Sequence, residues 1–180
     1  MTDNPLVSIV ITCYNYSQYI ERCIQSAIDQ TYRNIEVIVV DNGSTDNSLE
    51  KIKTFLCNPR VVIIELKKNI PPGVGKESAF GVAIQRSSGK YIGILYADDW
   101  YLPTKIEKQV SLFSKSSNSV GVIYCHGYRY LEQSGRMSKW KHQSVRGYVF
   151  RSYLLNGDVV IPISPLVKRH CYDIVGLNNI

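Results

Sequence analysis

The feature that most constrains this chain is an alternation. Short apolar runs rich in β-branched residues are each followed by a stretch whose apolar residues recur with helical period. Val7–Thr12 reads as a buried first strand. Ser17 is then placed to cap a helix in which Ile20, Cys23, Ile24, Ala27 and Ile28 share one face. Ile35–Val40 is a second strand, stopped by Asn42-Gly43. Ser44 or Asp46 caps a short helix with Leu49, Ile52 and Leu56 inward. Val61–Leu66 is a third strand, followed by a loop containing Pro71, Pro72, Gly73 and Gly75. A helix is expected over Ser78–Arg86, with Phe80, Ala83 and Ile84 facing the core, closed by Ser88-Gly89. Tyr91–Leu95 is a fourth strand running into Ala97-Asp98-Asp99. Pro103 suits the first turn of the next helix, on which Ile106, Val110 and Phe113 share a face. Val120–Cys125 is a fifth strand. This order predicts an α/β fold of Rossmann-like type, a mainly parallel sheet flanked by helices.

Past residue 126 the pattern loosens. Tyr128–Leu131 and Gly147–Phe150 read as hairpin or edge strands separated by a basic polar stretch. The expected organisation is an α/β subdomain over 1–125 and the start of a smaller region over 126–180. The chain ends on Gly176-Leu177-Asn178-Asn179-Ile180, which resembles a loop, so further sequence is expected beyond it.

At 180 residues the chain suits one well-packed domain. No apolar run is long enough to cross a bilayer. Asp3, Asn4 and Pro5 precede the first apolar run where an export signal would need basic residues, which points to the cytoplasm. The cysteines Cys13, Cys23, Cys57, Cys125 and Cys171 are odd in number and lack metal-site spacing, so reduced thiols are expected. A net charge of +6 is compatible with an anionic partner. The basic, partly aromatic segment Lys139-Trp140-Lys141-His142, with Arg136 and Arg146, reads as an exposed loop. No nucleic-acid-binding element carries it, and contact with acidic lipid headgroups or a phosphate-bearing acceptor is the alternative.

In an open α/β sheet, ligands bind beyond the carboxyl ends of the strands. Three such ends carry polar side chains here: Thr12-Cys13-Tyr14-Asn15, Asp41-Asn42-Gly43-Ser44 and Ala97-Asp98-Asp99. Adjacent carboxylates repel, and a cation between them removes the conflict. Mn2+ or Mg2+ fits, because both take oxygen ligands and leave positions open for phosphates. The competing reading is a polar turn or helix cap. Thr12 and Tyr14 offer a hydroxyl and an aromatic face to a nucleobase, and Asp41–Asp46 offers carboxylates to a base or ribose. Trp100 offers a platform to a sugar or acceptor, or packs under the following helix. Gly73-Val74-Gly75-Lys76 is not a phosphate-binding P-loop, since Glu77 follows the lysine; Lys76 is either a phosphate partner or solvated. Nor does Gly-x-Gly-x-x-Gly follow the first strand.

The segments Val7–Asn15, Val39–Asp46 and Gly89–Asp99, followed by Leu102-Pro103 and Lys105-Ile106, together resemble family 2 of the inverting glycosyltransferases, whose fold is of GT-A type. Pro165–Arg169 resembles a later family segment. The resemblance implies transfer of a sugar from a nucleoside-diphosphate sugar to the hydroxyl of a carbohydrate or lipid-linked acceptor, in polysaccharide or glycoconjugate synthesis. Thr12, Tyr14, Asn15, Asp41, Asn42, Lys76 and Asp98 would then contact the nucleotide, and Asp98 and Asp99 would hold the metal. Departures from the family pattern are Asn42 for a common Asp, Tyr96 for the Asp opening the acidic run, and Ser78-Ala79 for Arg-Asn. The family's base lies past a stretch matching Val175-Gly176-Leu177-Asn178, so none is assigned. The resemblance makes 126–180 the start of an acceptor-binding region; the N-terminus and the basic segment together place the chain in the cytoplasm or peripherally at the inner face of the membrane. A nucleotide-sugar-binding module without turnover, or another nucleotide-binding α/β protein, are the alternatives.

Overall fold

The computed structural model describes residues 4–70, 75–140, 145–147 and 163–177. In chain order the first half comprises β1 (Val7–Cys13), α1 (Ile20–Ile28), β2 (Ile35–Asp41), α2 (Ser48–Lys53), β3 (Val61–Glu65) and α3 (Ala79–Arg86). The second comprises β4 (Tyr91–Tyr96), α4 (Lys105–Ser114), β5 (Val122–Ile123), β6 (Gly127–Leu131), β7 (Arg136–Trp140), β8 (Leu166–Lys168) and α5 (Arg169–Val175).

The unbroken apolar run of β1 is buried on both faces, as a strand in the middle of a covered parallel sheet must be. It pairs in parallel with β2 on one side and β4 on the other, and β3 extends the sheet beyond β2. Alternate residues serve opposite layers. Val7, Ile9 and Ile11 pack with α1 and α4 through Ile24, Ala27, Ile106 and Phe113. Val10, Ile38 and Ile92 pack with α3 through Ala79, Ala83 and Ile84. Each fully buried isoleucine removes enough apolar surface from water to contribute roughly 1.5–3 kcal/mol. The inner face expected for α1 is the one observed: Ile20, Cys23, Ile24, Ala27 and Ile28 are all buried.

The sheet order among the described residues is β3-β2-β1-β4-β8-β5. This confirms the mainly parallel α/β architecture and corrects its far edge. Only Val122–Ile123 of the expected fifth strand is extended, and it does not pair with β4. The short β8 enters between them, antiparallel to both. Buried Gln109 secures this edge, donating from Nε2 to the carbonyls of Ile123 (2.7 Å) and Ser164 (2.9 Å). The described elements after residue 126 are thus β8 and α5, which return to the sheet, and a separate hairpin, β6–β7.

Other local expectations change. Ser17 does not cap α1, whose N-cap position is Tyr19 and carries no side-chain cap. The backbone N–H of Ser17 instead donates to Asp46 Oδ2 (3.1 Å), so the first two loops cap each other. Leu56 is exposed and Phe55 packs against the core in its place, because the chain leaves helical geometry after Lys53. The hairpin partner of β6 is Arg136–Trp140, within the segment expected to be a basic loop. The strand expected at Gly147–Phe150, the loop from Pro71 to Val74, Lys141, His142 and the last residues from Asn178 lie outside the described residues, apart from Gly147.

Candidate functional site

The parallel register pairs Cys13 with Asp41 and Thr12 with Tyr96, so the first, second and fourth strands end on one rim. A cleft of about 960 Å³ opens there. Thr12, Tyr14, Asn42, Tyr96 and Asp98 line it from the strand ends, with Ser78 and Phe80 from α3 and its cap and Tyr172 from α5. The three sequence-distant motifs therefore do converge. Tyr14 is 40% exposed, leaving its ring presented to the cleft rather than packed in the core.

Asp41 is 1% exposed. Its Oδ2 accepts from the Ser44 backbone N–H (3.0 Å), but its Oδ1 is buried with no hydrogen-bond partner among the described residues. A buried, unmatched carboxylate oxygen is costly and rare in a folded protein; Asp41 itself is not among the residues that line the cleft, although Asn42 is. Its neighbour Asn42 behaves differently. The Asn42 amide donates to the Ile70 carbonyl (2.8 Å) and accepts from the Ile70 N–H (3.0 Å), so it shapes the cleft wall.

Asn15 is likewise engaged by protein. It adopts a left-handed φ of 58°, its N–H donates to Ser44 Oγ (3.1 Å) and its Oδ1 accepts from the Thr45 N–H (2.8 Å). Asp46 completes this tie between loops. Partial desolvation works against its charge, but hydrogen bonds from Ser48 and Ser17 outweigh that and draw its carboxyl down to about 2. Gly43 sits inside the tie at φ 73°, where a Cβ would come within 2.6 Å of the Lys68 backbone. Lys76 is exposed and does not line the cleft.

Beyond β4 the chain turns sharply, with the Asp99 N–H donating to the Tyr96 carbonyl (3.0 Å). Asp98 is exposed toward the cleft, whereas Asp99 is partly buried behind it. Burial, reinforced by the charge of Asp98, pushes the Asp99 carboxyl up to about 6. The turn is braced from α1: the Cys23 thiol donates to the Tyr96 carbonyl (3.2 Å) and Ser26 Oγ accepts from the Tyr101 N–H (3.1 Å). Tyr101 in turn donates to the Ile94 carbonyl (2.6 Å). The sequence reading did not single out Cys23, Ser26 or Tyr101 as supports. Helical periodicity marks Cys23 as a core residue but carries no sign that its sulfur faces a carbonyl.

Trp100 is held by a partner the sequence did not suggest. The Arg22 guanidinium lies 3.4 Å from the centre of its ring, and Tyr130 of the hairpin meets it edge-on at 5.3 Å. Arg22 therefore covers one ring face, leaving less of Trp100 for a sugar than an open platform would offer.

No group of three or more His, Cys, Asp or Glu suited to a metal occurs among the described residues. The pair Asp98 and Asp99 nevertheless fits a divalent cation chemically. Two oxygen-donor carboxylates, one disfavoured in its charged form by burial and by the other's charge, could supply part of an octahedral set and leave the remainder to ligand oxygens and water. No helix among the described residues is long and apolar enough to cross a membrane.

Comparison with known proteins gives a consistent picture. The family profile "Glycosyl transferase family 2" matches residues 8–166. An uncharacterized glycosyltransferase of Rickettsia prowazekii is 39% identical over 130 residues, which span 72% of this chain and 38% of that protein. The chondroitin synthase of Pasteurella multocida is 38% identical over 143 residues, spanning 72% of this chain but 14% of that one. Among solved structures, the mannosyltransferase PcManGT from Pyrobaculum calidifontis, in complex with GDP-Man and Mn2+, superposes with a TM-score of 0.70 at 18% identity. It covers 97% of this chain and 48% of its own. S. aureus TarS 1–349 in complex with UDP gives 0.68 at 17% identity, covering 93% and 48%. The chain thus spans well under half the length of these curated relatives and about half of the structural ones.

Proposed function

The chain belongs to glycosyl transferase family 2, and from that premise we propose that it binds a nucleoside-diphosphate sugar in the rim cleft and supports transfer of the sugar, with inversion, to an acceptor hydroxyl. The observation that carries this reading is the unmatched Oδ1 of buried Asp41 on the same rim as the Asp98–Asp99 pair. At one end Asp41 Oδ1 can take a hydrogen-bond donor, and at the other two carboxylates can take a cation. A nucleoside diphosphate with its metal supplies both.

In this reading Asp41 accepts a hydrogen bond from the base or ribose, while Thr12 and Tyr14 border the base. Asn15 and Asn42 act on the nucleotide through the loop backbone they hold. Lys76 is a peripheral phosphate partner at most, given its exposure outside the cleft. Asp98 and Asp99 hold Mn2+ or Mg2+ against the diphosphate; when bound, the cation stabilises the negative charge that develops on the leaving nucleotide. Trp100 limits the sugar side through whatever ring surface Arg22 leaves open. No residue is assigned as the base that activates the acceptor. Relatives named for chondroitin and hyaluronan synthesis support placing the transfer in polysaccharide or glycoconjugate assembly.

A thermal-shift panel of UDP-, dTDP- and GDP-sugars, with and without manganese, tests the reading. A ligand at 100 times its Kd adds about 2.7 kcal/mol of stability, a shift of several degrees for a domain of this size. A manganese-dependent shift with at least one of these ligands is expected. Indifference to all of them would remove the proposal.

A further inference from the structure

The hairpin β6–β7 projects from the domain with every residue but Gly127 exposed. Its register sorts the side chains into two faces. Tyr128, Tyr130, Met137 and Lys139 share one, and Tyr130 anchors that face against Trp100 and Arg22 beside the acidic pair. Arg129, Leu131, Arg136, Ser138 and Trp140 share the other, which points away from the domain. There Leu131 is 50% and Trp140 38% exposed. Arg129 lies over the Trp140 ring at 5.0 Å, a diagonal contact made possible because Gly127, opposite Trp140, has no side chain to fill the space.

We propose that this outer face docks on an anionic membrane surface. It combines an indole, an aliphatic side chain and two guanidinium groups on one flat, twisted ribbon, the combination that suits a headgroup layer. Trp and Leu enter the boundary with the acyl chains and arginines meet lipid phosphates. The hairpin's single acid, Glu132, does not oppose this, because its carboxylate accepts from Tyr19 Oη on the domain side (3.0 Å). A second copy of the chain is a poor occupant, since a two-fold contact through this face would set Arg129 and Arg136 against their own copies. A saccharide is also poorly served, because Arg129 already stacks on the one aromatic ring of the face. Tyr130, on the opposite face, packs edge-on against Trp100, so docking would bring the membrane to the side of the domain that carries the acidic pair.

Vesicle co-sedimentation tests this independently of the nucleotide site. The chain is expected to sediment with vesicles of phosphatidylcholine and phosphatidylglycerol, weakly or not at all with phosphatidylcholine alone, and less as salt is raised. Replacing both arginines (Arg129→Gln with Arg136→Gln) should lower the apparent affinity about thirtyfold. Trp140→Ala should lower it on the same vesicles, and both variants should keep the melting temperature of the ligand-free parent, which shows that they fold. Equal binding to neutral vesicles, no binding to either, or binding unchanged in the double variant would overturn the proposal. So would binding of a soluble anionic oligosaccharide to this face by a chain that ignores vesicles.

Discussion

The two ends of the central sheet are built on opposite principles. At the amino end every polar group we can follow is matched. Ser8 Oγ donates to Glu36 Oε1 (2.6 Å) and accepts from the Gly89 N–H (2.8 Å), while the Ser88 N–H donates to the same carboxylate (2.5 Å). Arg169 closes the group from α5, donating to the Gly89 carbonyl (2.8 Å) and to Ser87 Oγ (2.5 Å). At the carboxyl end, 1% exposed Asp41 keeps an oxygen unmatched among the described residues, and burial, reinforced by Asp98, raises the energy of ionised Asp99. One end stabilises the fold. The other leaves polar groups less fully matched, and it is the end to which the proposal above assigns a nucleotide and a metal.

Substitutions can break this contrast, and the largest effect is expected at the amino end. Glu36→Ala removes the shared acceptor of Ser8, Ser88 and Gly89 and should cost about 2–3 kcal/mol in urea unfolding. The nucleotide-induced shift should survive, because nothing in that network reaches the cleft. Asn15→Ala tests the converse case, a residue at the binding end that is wired like the amino end. It should cost roughly 1–2 kcal/mol, from the lost partner of Thr45 and a left-handed φ unsuited to alanine, and should also weaken nucleotide binding.

Asp99→Asn should act in the opposite direction. Its folded carboxyl titrates near 6, above its unfolded value near 4, so the folded state holds the proton more tightly. The stability this contributes is present below about pH 4 and is lost as pH rises through about 6. Metal-free Asp99→Asn should therefore melt above the parent at pH 7, by less than about 1 kcal/mol after solvent screening, and match it near pH 4. A thermal melt series across that range reads the crossover directly. The smallest effect is expected for Glu65→Gln, which breaks an exposed 3.0 Å pair with Lys53 on the sheet's flank and should stay within about 0.5 kcal/mol.

Much of this contrast was legible in the sequence at the carboxyl end. Long apolar strands announce themselves, so β1, β2 and β4 were placed well, and three polar termini could be assigned to one rim from topology alone. What pattern could not supply was which polar atoms are already engaged. Asp41 and Asn42 are neighbours of similar size, yet one keeps a free oxygen and the other clasps Ile70 at both ends of its amide. Elements defined by distant partners also escaped. Leu166–Lys168 is too short to show a period and becomes a strand because an edge of β4 awaits it. Arg136–Trp140 carries enough charge to read as a loop, although it pairs residue for residue with β6. The amino-end network was invisible for the same reason, since Ser8, Glu36, Ser88 and Arg169 meet only once the sheet is assembled.

The central claim is that the carboxyl rim is a joint site for a nucleoside diphosphate and a divalent cation. Isothermal titration of UDP and GDP, each with and without Mn2+, into the parent and an Asp98→Asn/Asp99→Asn variant tests it most directly. The parent should bind at least one of them more tightly with Mn2+ present, and the variant should lose that manganese-dependent gain. Binding of neither nucleotide by the parent, or a manganese-dependent gain undiminished in the folded variant, would contradict it.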